Sequence, residues 1–208
     1  MKMVEISKLY EDNLLARVLV NAIPYIGGSL DATLTSKWSG YWKQRIEELL
    51  IETEKELASI NERMIDKDFI ESEEFYDIVS KIANDVTSSR CREKRVGYAK
   101  IIKSALLKED TIANLEDIVA QITNMREKDL IYLKIIKDLF DKGKQVTGFS
   151  LSKVMKSYSY SPIECELHLY RMENLGLLDH PRNTLTGRGY VAFQKTSLFD
   201  KIVGYLGL

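Results

Sequence analysis

The sequence predicts a mainly α-helical protein, and three observations indicate this. Apolar residues recur at intervals of three and four along most of the 208 residues. The chain has only 3 Pro and 11 Gly, which is few for a turn-rich β fold. Apolar residues make up 45% and charged residues 29%, the balance of a chain that buries a sizeable core. We expect an all-helical domain at residues 1–126 and a second, smaller domain at 127–208.

The most apolar part of the chain, LLARVLVNAIPYIGGSLDATL, predicts a hairpin of two helices. Pro24 ends the first helix, and the adjacent glycines permit a tight reversal. The charge-free interval 18–30 has 13 residues, whereas a helix that spans a membrane needs about 20. We therefore expect the αα-hairpin to be buried in its own domain. Insertion into a membrane is the alternative, and the residues that would then contact lipid or a partner are Ile23, Pro24, Tyr25, Ile26, Gly27 and Gly28.

A long amphipathic helix follows the hairpin. Apolar residues step by three or four from Leu30 to Met64, while charged side chains occupy the other faces. Such a stripe needs partner helices from its own chain or from a second copy, so a homodimer is expected. Further apolar stripes begin near Phe75, Val96 and Ile112. Asp68 or Ser72 is the predicted N-cap before Phe75, and Thr111 is the predicted N-cap before Ile112.

The pattern changes at Glu127, where three helices precede two short extended segments around a turn at 181–183. That order predicts a winged-helix domain, a helix-turn-helix variant with a β wing. Gly143 should end the first helix, and Ser161 with Pro162 should begin the third. The third helix carries Ile163, Leu167, Tyr170 and Leu175 in phase, and residues 197–208 form a final amphipathic helix.

Two resemblances extend these predictions. The stretch RMENLGLLDHPRNTLTGRG resembles the third helix and wing of bacterial winged-helix domains, which implies the fold and leaves the function open. The N-terminal part is similar to uncharacterised all-helical bacterial and phage-associated proteins, including the Abi-alpha group linked to abortive infection. The matching residues are Ile23, Pro24, Gly27, Gly28, Arg45, Ser72, Glu73, Glu74, Phe75, Glu93, Lys94, Arg95, Tyr98, Ala99, Ile101 and Ile102. This second resemblance implies a role in phage defence.

Basic residues are the candidates for contact with nucleic acid or an acidic partner. They are Arg90, Arg92, Lys94, Arg95, Lys153, Lys156, Arg182 and Arg188. A solvated face that balances neighbouring acids is the alternative interpretation. The predicted third helix carries Glu164, Glu166 and Glu173, which repel phosphate, and the net charge of −1 gives no general attraction to nucleic acid. DNA binding by a transcriptional regulator therefore ranks second, and a conditional membrane-active effector third.

Few residues suit catalysis. His168 and His180 are the only histidines, and no nucleophile, metal-ligand or nucleotide-binding motif is present. Cys91 and Cys165 form no CxxC pair, and Cys165 is expected to be a small buried residue. We expect a reduced, cytoplasmic, non-enzymatic bacterial protein without cofactor or metal, which acts through contact with a protein partner or a second copy. The N-terminus lacks the basic region of a signal peptide, so no export is expected.

Overall fold

The computed structural model describes residues 32–58, 60, 65, 67–156, 160–181 and 191–208. The predicted hairpin up to residue 31, with its candidate contact residues 23–28, lies outside the described residues, as do the wing residues Arg182 and Arg188. The chain divides into two compact units, Met1–Thr123 and Asn124–Leu208. The described residues form nine helices and one two-stranded sheet, so the prediction of a mainly α protein is confirmed.

The described part of the first unit contains five helices. They are α1 (Ala32–Leu57), α2 (Lys67–Ile70), α3 (Glu73–Ser88), α4 (Arg92–Leu106) and α5 (Ile112–Asn124). Thr111 is confirmed as an N-cap, and of the two candidates Asp68 and Ser72 it is Ser72 that caps α3. The Ser72 hydroxyl accepts a hydrogen bond from the Phe75 N–H at 3.2 Å, and the Thr111 hydroxyl accepts one from the Asn114 N–H at 3.3 Å. These bonds satisfy backbone donors that the first turn of a helix leaves unpaired.

Helix α4 is the central helix of the first unit and packs against both α1 and α3. It is buried on nearly every side, although its sequence predicted a single apolar stripe. Gly97, Ala99 and Ala105 explain the difference, because small side chains let neighbouring helices approach from several directions. The predicted stripe of α3 is confirmed, since Phe75, Ile78, Val79, Ile82 and Val86 are all buried.

Helix α1 is shorter than its apolar pattern predicted and ends at Leu57. The Ile60 N–H donates to the Leu57 carbonyl at 2.9 Å. This bond spans three residues, as in a 3₁₀ turn, and not the four of an α-helix. Thr53 is buried within the apolar stripe, and its hydroxyl donates to the Leu49 carbonyl at 2.9 Å. The polar residue is therefore satisfied inside its own helix.

The described part of the second unit contains four helices and a small sheet. Its elements are α6 (Glu127–Asp141), α7 (Gly148–Val154), α8 (Pro162–Asn174), β1 (Leu178–Asp179), β2 (Gln194–Lys195) and α9 (Ser197–Leu206). The strands are antiparallel, with Leu178 opposite Lys195. Val146, between α6 and α7, forms a bridge with Phe193, so this segment lies beside the sheet.

The predicted boundaries of α6 and α8 are confirmed. Gly143 follows the end of α6 with a φ of 63°, a left-handed conformation that favours glycine. At the start of α8, the Ser161 hydroxyl accepts from the Glu164 N–H, and the Glu164 carboxylate accepts from the Ser161 N–H. Pro162 takes the first helical position, where its missing N–H costs nothing.

Half of the predicted apolar face of α8 is wrong. Leu175 is buried and Tyr170 half-buried, but the other two predicted residues are not. Cys165, Leu169 and Met172 are buried, whereas Ile163 and Leu167 are 70% and 64% exposed. The cause is the close contact between α7 and α8 at Gly148. A Cβ atom there would lie 2.3 Å from the Pro162 carbonyl oxygen and 2.9 Å from the Glu166 Cβ. This contact sets the rotation of α8 about its axis and turns Ile163 and Leu167 outward.

Candidate functional site

The basic segment 90–95 does not form one continuous surface. Arg90 and Arg92 are exposed, whereas Lys94 and Arg95 are only 3% and 7% exposed. The two groups differ because α4 begins at Arg92, and its first turn directs Lys94 and Arg95 toward α3 and α1. The four predicted contact residues in this segment therefore have different surroundings.

Lys94 belongs to a buried polar network. Its ammonium group donates to the Asp85 carboxylate at 3.0 and 3.3 Å and to the Thr123 carbonyl at 3.2 Å. The Tyr98 hydroxyl donates to the same carboxylate at 2.7 Å, and burial followed by the charge of Asp85 raises the pKa of Tyr98. The network joins α3, α4 and α5, so the role of Lys94 in this structure is to hold helices together.

Cations in the first and last turns of α4 pair with three glutamates spaced one turn apart on α1. The pairs are Arg95–Glu48 at 2.8 Å, Arg92–Glu52 at 3.6 Å and Lys103–Glu56 at 3.7 Å. Glu52 and Glu56 both face cations of the neighbouring helix. Much of the basic character of this segment therefore balances acids of α1.

A cleft of about 440 Å³ lies between α1 and the segment 90–95. We call it the arginine cleft, and its lining residues are Tyr41, Gln44, Arg45, Glu48, Arg90 and Arg95. The Arg45 guanidinium donates to the Thr87 carbonyl, and Gln44 donates to Glu48 at 3.0 Å. Three arginines and one glutamate give this lining a formal charge of +2.

Arg95 is only partly satisfied in the arginine cleft. Its Nη2 contacts the Glu48 carboxylate at 2.8 Å. Within the part of the chain that the structure describes, its buried Nε and Nη1 atoms have no hydrogen-bond partner. Buried guanidinium N–H groups usually have partners, so this residue is unusual in the first unit.

In the second unit, α8 presents an apolar pair to solvent. Ile163 and Leu167 are four residues apart and so lie on one side of the helix. Glu164 lies between them in sequence and is also exposed. Its hydrogen bonds from Ser161 lower the pKa of the Glu164 carboxyl, which remains ionised beside the apolar pair. We call Ile163, Glu164 and Leu167 the outer face of α8.

The predicted contact residues at the end of α7 and just beyond it lie at the surface. Lys153 and Lys156 are exposed, and the Lys153 ammonium lies 4.4 Å from the centre of the Phe149 ring. Val154, between the two lysines, is an exposed apolar residue. The end of α7 therefore combines cations with an apolar side chain.

Arg171, which matches the winged-helix resemblance, anchors α8 to α6. Its guanidinium contacts the buried Asp129 carboxylate at 2.8 to 3.0 Å and also donates to the Asn124 carbonyl at 3.1 Å. Asp129 accepts a further bond from the Arg126 N–H at 2.8 Å. Arg171 therefore offers little charge to a ligand outside the unit.

The histidines and cysteines pack against other side chains. His168 stacks on Tyr132 with ring centres 4.1 Å apart, and burial lowers the pKa of His168. His180 contacts Glu173 at 2.5 Å. Cys165 is buried, as predicted, and burial raises its pKa. Burial likewise raises the pKa of Cys91 to about 11, which keeps that thiol protonated and a weak nucleophile at neutral pH.

No protein-family model, curated protein or solved structure matches the chain. Among the described residues, no group of His, Cys, Asp and Glu is placed to hold a metal ion. No helix within those ranges is both long and apolar enough to cross a lipid bilayer. Among the described residues, the arginine cleft contains unsatisfied buried donors, and the outer face of α8 carries two exposed apolar side chains.

Sequence reasoning missed part of each surface. Arg90 and Arg95 were identified as basic, but Tyr41 and Arg45 lie about fifty residues earlier and meet them only through packing of α1 on α4. The spacing of Ile163 and Leu167 was recognised, but it was taken for a buried face. The one sequence signal for the correct rotation was a second apolar set on the same helix, Cys165, Leu169 and Met172.

Proposed function

We propose that the chain acts as a protein-binding module and that the outer face of α8 docks on a second copy of the chain. The observation that carries this proposal is the exposure of Ile163 and Leu167 on one side of a well-capped helix. Contiguous apolar surface rimmed by charge is typical of protein interaction sites.

The order of elements in the second unit supports a winged-helix fold. A helix, a short extended segment at Val146, two further helices and two paired strands follow one another. Phe193, next to β2, contacts Val146, while Lys195 in β2 is opposite Leu178 in β1. In this proposal α8 is the helix that would enter the major groove in a DNA-binding member.

The surface composition of α8 favours binding to a protein over binding to DNA. A helix that reads DNA presents arginine, lysine or amide side chains to bases and phosphates. The outer face of α8 instead presents two aliphatic side chains and an ionised carboxylate. Fold alone does not define function, so the surface chemistry of α8 is our reason for preferring protein binding to DNA binding.

Charge complementarity favours a second copy as the occupant. The outer face of α8 is apolar and acidic, whereas the exposed end of α7 is apolar and basic through Lys153, Val154 and Lys156. In a two-fold dimer each patch meets its counterpart on the other chain, so both contacts form twice. The α7 of one chain would then receive the α8 of the other.

The expected association is weak. Full burial of a leucine or isoleucine contributes about 1.5 to 3 kcal/mol, and each chain supplies two such residues, roughly two-thirds exposed. Four of them contribute about 4 to 8 kcal/mol, while association costs about 4 to 15 kcal/mol in lost freedom. The contacts to α7 must supply the rest of the binding free energy. We therefore expect the dimer to dissociate on dilution.

Light scattering across a concentration series tests the proposal. The unmodified chain should approach twice the mass of one chain as concentration rises. Ile163→Lys with Leu167→Lys should keep one chain's mass, because two cations would replace the apolar pair. Tyr76→Lys, at an exposed aromatic residue of the first unit, is the matched control and should dimerise like the unmodified chain.

One chain's mass at every concentration would contradict the proposal. A binding assay with duplex DNA distinguishes the dimer proposal from the hypothesis of a DNA-binding regulator. Salt-dependent retention of DNA that is lost in Lys153→Glu with Arg188→Glu would favour the regulator. The resemblance to proteins linked to abortive infection adds a further hypothesis, that this association serves phage defence.

A further inference from the structure

We infer that the arginine cleft binds the phosphate group of a small phosphorylated molecule. Arg45, Arg90 and Arg95 supply the cations, α1 and the start of α4 supply the walls, and Tyr41 is an exposed residue of the lining. This inference concerns the first unit and stands independently of the proposed contact through α8.

The unsatisfied guanidinium of Arg95 is the observation that points to a ligand. Its side chain is more than nine-tenths buried and lines the cleft, yet the described residues offer partners to only one of its three nitrogens. A buried donor without a partner destabilises the fold, because it has lost water and gained nothing in return. An anion in the cleft, with a small shift of the guanidinium, would supply the missing acceptors.

The charge of the lining matches a phosphate monoester. The formal charge of +2 remains after Glu48 has neutralised one arginine. A phosphate monoester carries about −1.5 to −2 at neutral pH and offers three acceptor oxygens, whereas a carboxylate carries −1 and offers two. Guanidinium groups bind such oxygens in paired, planar contacts, which lysine does not provide.

The size of the cleft indicates that the ligand is larger than phosphate itself. Sites for small molecules usually enclose roughly 300 to 1,000 Å³, and the arginine cleft, at about 440 Å³, falls in that range. Tyr41 is 66% exposed at the cleft, so one ring is available to pack on an organic group next to the phosphate. A nucleoside monophosphate has both features, a dianionic phosphate and a flat ring.

Isothermal titration of the full chain at constant ionic strength tests the inference. The probes are adenosine monophosphate, inorganic phosphate, adenosine and acetate. Adenosine monophosphate should bind most tightly and inorganic phosphate more weakly, while adenosine and acetate should bind at least tenfold more weakly than adenosine monophosphate. The comparison of the first two probes separates a phosphorylated metabolite from free phosphate as the source of the anion.

Three single variants assign the binding to the cleft. Arg90→Ala should weaken binding of adenosine monophosphate about tenfold or more, because a charge-assisted hydrogen bond is lost. Arg92→Ala is the matched control, since Arg92 is also exposed and lies two residues away but does not line the cleft. Glu48→Gln should strengthen binding severalfold, because it removes the competing carboxylate from Arg95.

Several results would overturn the inference. One is the absence of saturable binding by any phosphate-bearing probe in both the unmodified chain and Glu48→Gln. Another is an equal loss of affinity in Arg90→Ala and Arg92→Ala, which would indicate diffuse attraction to the whole basic segment. Acetate binding as tightly as inorganic phosphate would also overturn it. Arg90 and Arg92 are surface residues, so we expect both alanine variants to fold like the unmodified chain.

Discussion

At the residue scale, the first unit contains two kinds of ion pair with very different expected energies. Lys94 and Asp85 are both buried, and their charges are balanced by each other and by bonds to Tyr98 and Thr123. Lys81 and Glu116 form an ion pair of similar length, 3.0 Å, at the surface. Distance alone does not distinguish them, but burial does, since only the buried charges lose water on folding.

We predict that Lys94→Met destabilises the first unit by about 3 kcal/mol, because it leaves the Asp85 carboxylate buried without its cation. Adding Asp85→Asn to the same chain should recover part of this loss, since no buried charge then remains. Urea unfolding followed by circular dichroism measures both. Lys81→Met is the control and should cost less than about 1 kcal/mol. Equal losses in Lys94→Met and Lys81→Met would contradict this account of the network.

His168 gives the second unit a pH dependence whose sign follows from its surroundings. Burial against Tyr132 lowers the pKa of His168 below its ordinary value of about 6.5. The unfolded chain therefore takes up this proton at a higher pH than the folded chain does. The associated stability is present above about pH 6.5 and is lost as the pH falls below it.

We predict that the free energy of unfolding falls more between about pH 7.5 and 5.5 in the unmodified chain than in His168→Phe. Phenylalanine keeps a flat ring against Tyr132 but has no proton to exchange. His180 is present in both chains, so its contribution cancels. Denaturant unfolding at the two pH values measures the difference. An identical pH dependence in the two chains would show that His168 titrates alike in the folded and unfolded states.

At the scale of the element, local signals and long-range contacts set different features of each helix. The caps at Ser72, Thr111 and Ser161 could be predicted because each bond joins residues three apart. The rotation of α8 could not, because its surface carries two apolar sets. The contact at Gly148, which decides between them, comes from another helix.

We predict that Gly148→Ala destabilises the second unit by about 1 to 3 kcal/mol, although alanine is the better helix former. The new methyl group would overlap the Pro162 carbonyl oxygen, an atom of the backbone that cannot rotate away. Thermal unfolding of the two variants measures the effect. Gly204→Ala is the matched control in α9. A Cβ there meets nothing within 4 Å, so this variant should stabilise the chain by about 0.4 to 1 kcal/mol. Stabilisation by both variants would contradict the proposed role of Gly148.

At the scale of the whole molecule, the helical class followed from composition and periodicity, whereas the surfaces did not. The central position of α4 depends on small residues whose neighbours lie in α1 and α3. The arginine cleft likewise brings together side chains from two distant segments. Sequence reasoning identified most of the charged residues involved, but which of them are paired, buried or open depends on how the helices pack.

The central claim is that the outer face of α8 is a protein contact surface, and methyl NMR on dilution tests it most directly. The account predicts that the methyl signals of Ile163 and Leu167 shift progressively as the chain is diluted. The signal of Ile131, an exposed residue of α6, should stay in place. Methyl signals of Ile163 and Leu167 that remain unchanged from the highest to the lowest concentration would contradict the claim.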